Sequence, residues 1–133
     1  MKGETDLQKL IASMQPELHE EAFVFCSGLE SGVLAELSPV AQFREAEGLT
    51  AIIPQVEARR LGLKFQYPCR QITLNVHSSL EAVGFLAAIT ARLAAHGISV
   101  NAVSACYHDH LFVPSERAEE AMKILFELAS ESR

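Results

Sequence analysis

Positive charge is scarce in this sequence: 11 Lys and Arg stand against 17 Asp and Glu, for a net charge of -6. No Lys/Arg cluster is present to neutralise phosphates, so nucleic acid is excluded as an expected partner. Cysteine is scarce too. Cys26, Cys69 and Cys106 lie far apart with no CxxC pair, a pattern that fits neither a disulfide framework nor a structural zinc knuckle and matches a reducing cytoplasm. No apolar run approaches the length of a membrane span, and the opening residues 1–6 are polar and acidic, so neither an anchor nor a secretion signal is expected. A convincing catalytic set is also missing. What is present is 49% hydrophobic residues in 133 positions, enough for one compact core or two small half-units sharing a sheet.

Apolar periodicity predicts a chain of short elements. Thr5 and Gln8 have capping-box spacing, and Leu7, Leu10, Ile11 and Met14 share one helical face before Pro16 stops the run. Residues 22–26, 40–45 and 49–53 read as strands, with turns at Gly28, Gly32 and Glu47-Gly48. Pro54 opens a brief helix that carries Val56 and Leu61 inward and ends at Gly62. Residues 63–69, with Pro68, have weak periodicity and form the candidate linker. The expected domains are 1–66, a degenerate first unit with its leading helix, and 67–133.

The second half is clearer. Ile72, Leu74 and Val76 alternate with polar residues as in a strand with one buried face. Ser78 with Glu81 forms a second capping box, ahead of a helix whose inner stripe is Val83, Leu86, Thr90 and Leu93 and which ends at Gly97. Residues 98–107 form a long strand, His108-Asp109 turns, and residues 110–113 return antiparallel into a last helix opened by Pro114 and Ser115. An internal repeat links the halves. Ile52-Ile53-Pro54-Gln55-Val56-Glu57-Ala58 aligns with Phe112-Val113-Pro114-Ser115-Glu116-Arg117-Ala118, each marking a strand that runs directly into a helix.

Residues 70–128 resemble the ACT domain, through Val83-Gly84-Phe85-Leu86, Gly97-Ile98-Ser99-Val100-Asn101 and His108-Asp109-His110-Leu111-Phe112-Val113-Pro114. Those motifs are similar to ones in small stand-alone proteins that carry two such units. The resemblance implies an α+β, ferredoxin-like βαββαβ fold, an antiparallel sheet with helices on one face, repeated in tandem with a truncated first unit. It also implies regulation by an amino acid bound between units, at the loop after the first strand. Here that loop is His77, Ser78, Ser79, Leu80, Glu81, Ala82, Val83 and Gly84, with Val83 where proline is usual and Ser78 or Ser79 where an acidic residue is usual. In the first half about a dozen residues separate the 22–26 strand from the 40–45 strand, leaving little room for a crossover helix. The leading helix is a candidate to cover that gap.

Binding at the 77–84 loop also has a physical case. Amides at a helix N-terminus hold a carboxylate, and Gly84 leaves backbone open to a ligand, with Phe85 beside it. The competing reading is that Ser78 and Glu81 consume those donors as an ordinary capping box. Asn101 is the second candidate, an amide able to pair with a ligand's ammonium and carboxylate, or equally a solvent-facing strand residue. Cys106, His108, Asp109 and His110 have the residue types of a metal site or a thiol hydrolase, but a tight turn at His108-Asp109 breaks the geometry either one needs. Asp109 is then a turn-former, and Cys106 sits on the helix-covered face with Ile98 and Val100. No catalytic residue, metal or cofactor is expected. The expected partners are a free amino acid, a second copy of the chain or a regulated enzyme. The alternative is a ligand-free interaction module that dimerises through its sheets.

Overall fold

The computed structural model describes residue 3 and residues 5–133. The described chain divides into two compact units: a larger one of Met1–His19 with Arg70–Arg133, and a smaller one of Glu20–Cys69. The contact units therefore do not coincide with the expected sequence halves, because the leading helix packs with the second half of the chain.

That helix, α1 (Leu7–Ser13), is capped by Asp6, whose carboxylate accepts from the Lys9 amide at 3.0 Å. Asp6, not Thr5, stands three residues before the amide that needs an acceptor, which corrects the expected capping box. Leu10, Ile11 and Met14 turn into the core and contact the helices α4 (Phe85–Ala95) and α5 (Ala118–Glu131) of the larger unit. These contacts lie within the larger unit, whereas the sequence offers this helix as a cover for the short crossover of the first half.

The larger unit contains the start of β1 (Gln15–Leu29), the end of β4 (Gln66–Asn75), β5 (Asn101–Ser104) and β6 (Asp109–Pro114), hydrogen-bonded in the order β1-β4-β6-β5. β5 and β6 run antiparallel, pairing Asn101 with Phe112 and Ser104 with Asp109. Ile72, Leu74, Leu111 and Val113 present one face to Phe85, Ile89 and Leu93 of α4 and to Ile124, Leu125 and Leu128 of α5. Each such side chain taken from water stabilises by about 1.5–3 kcal/mol. Several local expectations change. The α4 stripe is Phe85, Ile89 and Leu93, at i, i+4 and i+8, whereas Val83 precedes the helix and is 85% exposed. β5 is shorter than the expected 98–107 strand, and its residues are exposed. The bend falls on residues 105–108, closed by the Ala105 amide bonding to the His108 carbonyl at 3.0 Å, so Cys106 is exposed in the bend rather than on the helix-covered face.

The smaller unit contains the rest of β1, α2 (Ser31–Leu34), β2 (Ala41–Glu45), β3 (Gly48–Pro54), α3 (Gln55–Arg60) and the start of β4, with strand order β2-β3-β1-β4. β3 pairs antiparallel with both neighbours, Ile53 against Val24 of β1 and Thr50 against Phe43 of β2. A shift in the β1 register between Cys26 and Leu29 accommodates Gly28. Its core is Val24, Cys26, Leu37, Ala51, Ile53 and Ala58. In α3, Ala58 alone is buried, while Val56 is 70% and Leu61 37% exposed, against the expected inward pair. The helix is too short to present a stripe, and a small residue is what allows it close to the sheet. The expected 63–69 linker is largely strand, since β4 begins at Gln66 and takes in Pro68. The repeat is visible in the backbone: Pro54 (φ -56°, ψ 133°) and Pro114 (φ -53°, ψ 136°) adopt the same conformation, each ending a strand and opening a helical turn.

Candidate functional site

Within the larger unit, β4 leads through residues 76–84 to α4, and β6 starts opposite that loop with Asp109. Asp109 shares the parity of Leu111 and Val113, so its carboxylate is carried to the helix-covered side and is almost fully buried. Both of its oxygens are held. The buried Ser78 hydroxyl donates to Oδ2 at 2.9 Å, and the Ser104 hydroxyl donates to Oδ1. Burial of a carboxylate is costly unless it accepts such bonds, and two donors still leave part of its roughly four-site acceptor capacity free.

These contacts overturn two expectations. Asp109 is the first residue of a strand and a buried acceptor, not a turn-former. Ser78 does not cap a helix: its hydroxyl is spent on Asp109, and the Glu81 amide bonds instead to the Ser79 hydroxyl at 3.0 Å. The helix begins only after Gly84, which holds φ +92° and supplies no side-chain cap. That left-handed φ suits glycine. The amides of the first turn, at Phe85, Leu86 and Ala87, lack intrahelical acceptors and carry the positive end of the helix dipole.

Ser78, Ser79, Gly84, Phe85, Ser104 and Asp109 line a cavity of about 130 Å³ together with apolar atoms of Leu80, Ala82, Leu86 and Ala87. One side thus carries a buried carboxylate and the other an open helix N-terminus. Of the residues expected at the site, Ser78, Ser79, Gly84 and Phe85 come together here. His77 lies beside the lining with its ring 5.5 Å from that of Tyr107, and Glu81 and Val83 are exposed on the loop. Asn101 is exposed on β5, on the opposite face from Ser104 by strand parity, and does not line the cavity. Sequence reasoning missed Ser104 and Asp109. The available signal was parity, since a carboxylate in phase with Leu111 and Val113 falls on an apolar face and needs donors.

The histidines form a separate polar chain. His19 Nε2 lies 2.8 Å from Thr73 Oγ1, which lies 3.0 Å from His110 Nδ1; Gln71 Nε2 is 3.1 Å from the same nitrogen. Burial, with the nearby His108 and His19, holds the His110 pKa below its ordinary value against the opposing pull of Asp109. Among the described residues no group of three His, Cys, Asp or Glu is arranged to hold a metal ion. In the smaller unit, Glu20, Glu21, Ala22, Gln55, Val56 and Arg59 edge a broad groove of about 640 Å³, but no buried polar side chain is among them.

Residues 2–70 match one ACT domain family model and residues 66–127 match a second. No curated protein matches the sequence. Among solved structures, a Vibrio cholerae protein of unknown function, described as a possible transport protein, is 43% identical with a TM-score of 0.84, over 94% of this chain and 97% of that one. An Agrobacterium tumefaciens protein (15% identity, TM-score 0.68, 87% and 89% covered) shares the fold. So does the ligand-free regulatory subunit of aspartate kinase from Thermus thermophilus (11% identity, TM-score 0.68, 89% and 97% covered). With its sheet order, its repeated strand-Pro-helix junction and both family matches in agreement, the chain belongs to the ACT domain family and carries two such units in tandem.

Proposed function

We propose that this protein is a non-catalytic regulator that binds a small free amino acid in the Asp109 cavity. The observation that carries the reading is the two-sided chemistry of that cavity: first-turn amides of α4 to receive an α-carboxylate, and the buried Asp109 carboxylate to receive an ammonium. The volume, about 130 Å³, is well below the roughly 300–1,000 Å³ of sites for drug-sized ligands, and favours a guest with a short side chain. Ser78, Ser79, Gly84 and Phe85 act as binding residues, Ser104 fixes Asp109, and His77, Glu81 and Val83 form the outer loop, while Asn101, exposed on β5, stands outside the cavity lining. The fold shared with regulatory subunits of aspartate kinase supports a role in controlling an enzyme, here by a ligand-dependent change in association. Three free cysteines support action in a reducing cytoplasm. Among the described residues no helix is long and apolar enough to cross a membrane.

A thermal-shift screen of free amino acids tests the reading. At least one short amino acid at millimolar concentration raises the melting temperature, because a ligand that binds only the folded state stabilises it, and Asp109→Asn abolishes the shift. No shift across the set sinks the reading. A second reading, a dimerising module without ligand, draws on the edge strand β2, where Phe43 is 72% exposed. A concentration-dependent dimer that Phe43→Ser dissolves, with no amino-acid response, would select it.

A further inference from the structure

Gly3 sits on the backbone of the cavity loop. A Cβ built on it would lie 2.6 Å from the Ser79 nitrogen, 2.7 Å from the Ser78 carbonyl carbon and 2.9 Å from the His77 carbonyl oxygen. All three are backbone atoms, which cannot swing aside as a flexible side chain does, so only glycine permits the approach. A second contact falls at the far end of the same loop. The Leu7 side chain, at the first position of α1, comes within 3.5 Å of a Cβ built on Gly84. Neither Gly3 nor Leu7 lines the cavity.

We infer that Gly3 and Leu7 brace the amino-acid loop: Gly3 presses on its start, Leu7 on its end, and together they hold residues 77–84 in the binding geometry. This rests on the cavity being the ligand site, and deepens that reading by assigning its positioning residues. Among the described residues, the loop has few anchors of its own. Between Ser78, tied to Asp109, and the first helical bond, from the Ala88 amide to the Gly84 carbonyl at 2.9 Å, the Glu81 and Ala82 amides bond only locally, to Ser79. An external brace removes conformations the loop would otherwise sample, which favours binding by pre-organisation rather than by added contact.

The test compares wild type with Gly3→Ala and Leu7→Ala by hydrogen exchange, and measures calorimetric binding of glycine, L-alanine and L-serine, chosen to suit the cavity. Both variants should speed exchange across residues 77–84 while exchange in α5 and β6 and the urea midpoint hold, and should weaken whichever probe binds by about fivefold or more. Unchanged loop exchange in both variants overturns the brace. So does faster exchange spread evenly through α1, α4 and α5, or an affinity that holds while the loop loosens. If none of the three probes binds wild type, the ligand reading fails for them, and loop-confined exchange still decides the brace.

Discussion

The two ACT units share the same strand-Pro-helix junction and diverge at the place where a ligand would sit. In the larger unit the segment after β4 leads to an eleven-residue helix behind Gly84, which offers no side-chain cap; in the smaller the segment after β1 leads to four residues, Ser31–Leu34, behind Glu30, with none of them buried. Aligning Pro54 with Pro114 puts Leu49 where Asp109 stands, and Leu49 is a half-buried apolar residue paired with Leu29 of β1 and Arg44 of β2. One unit has a polar pocket beside a deep core, and the other has only the short α2 where a crossover helix would shape such a pocket. The frame is common to both units, whereas the polar cavity around Asp109 belongs to one.

Core truncation should break this comparison most forcefully if it is wrong. Leu93, fully buried on α4, should cost about 2–5 kcal/mol as Leu93→Ala in urea unfolding. Leu34, half-buried on α2, should cost about 1 kcal/mol or less as Leu34→Ala. Equal losses would mean that the short helix bears as much packing as the long one. Asp109→Ala comes next. It leaves the Ser78 and Ser104 hydroxyls without their acceptor, a loss of about 1–3 kcal/mol, and removes any amino-acid response. Leu49→Ala at the equivalent position should leave that response intact.

Periodicity and the proline repeat made the strand order along the chain and the tandem plan legible, because both are written in neighbouring residues. The site was legible only in part. Ser78 has the local signature of a helix cap, and nothing within reach in sequence shows that its hydroxyl will go to a carboxylate 31 positions away. Once it does, the helix starts at Gly84–Phe85 and the apolar stripe moves from Val83 to Phe85. β1 begins well before the expected 22–26 strand for a similar reason. Glu17 accepts from the Asn75 amide at 3.1 Å and the His19 carbonyl accepts from Arg70 Nε at 2.9 Å, partners that only the folded sheet supplies.

The smallest expected effect is also the sharpest discriminator between units, because all five histidines, at positions 19, 77, 96, 108 and 110, belong to the larger one. Burial, then His108 and His19, lower the His110 pKa from 6.5, with Asp109 acting the other way. The unfolded chain therefore binds this proton more readily than the folded one. The resulting stability is complete above the unfolded value of 6.5 and is lost as pH falls from there toward the lower folded value. Protonation at Nδ1 would also oppose donation from Gln71 Nε2, which sits 3.1 Å away. The urea midpoint should fall modestly between about pH 7.5 and 5.5, and His110→Gln should flatten that slope. Amide chemical shifts followed over the same range should move along the end of β4, β6 and the 105–108 bend while β2, β3 and α3 stay still, since carboxylates ordinarily titrate lower. Acid-induced shifts of equal size in both units would show that their stabilities are not separable in this way.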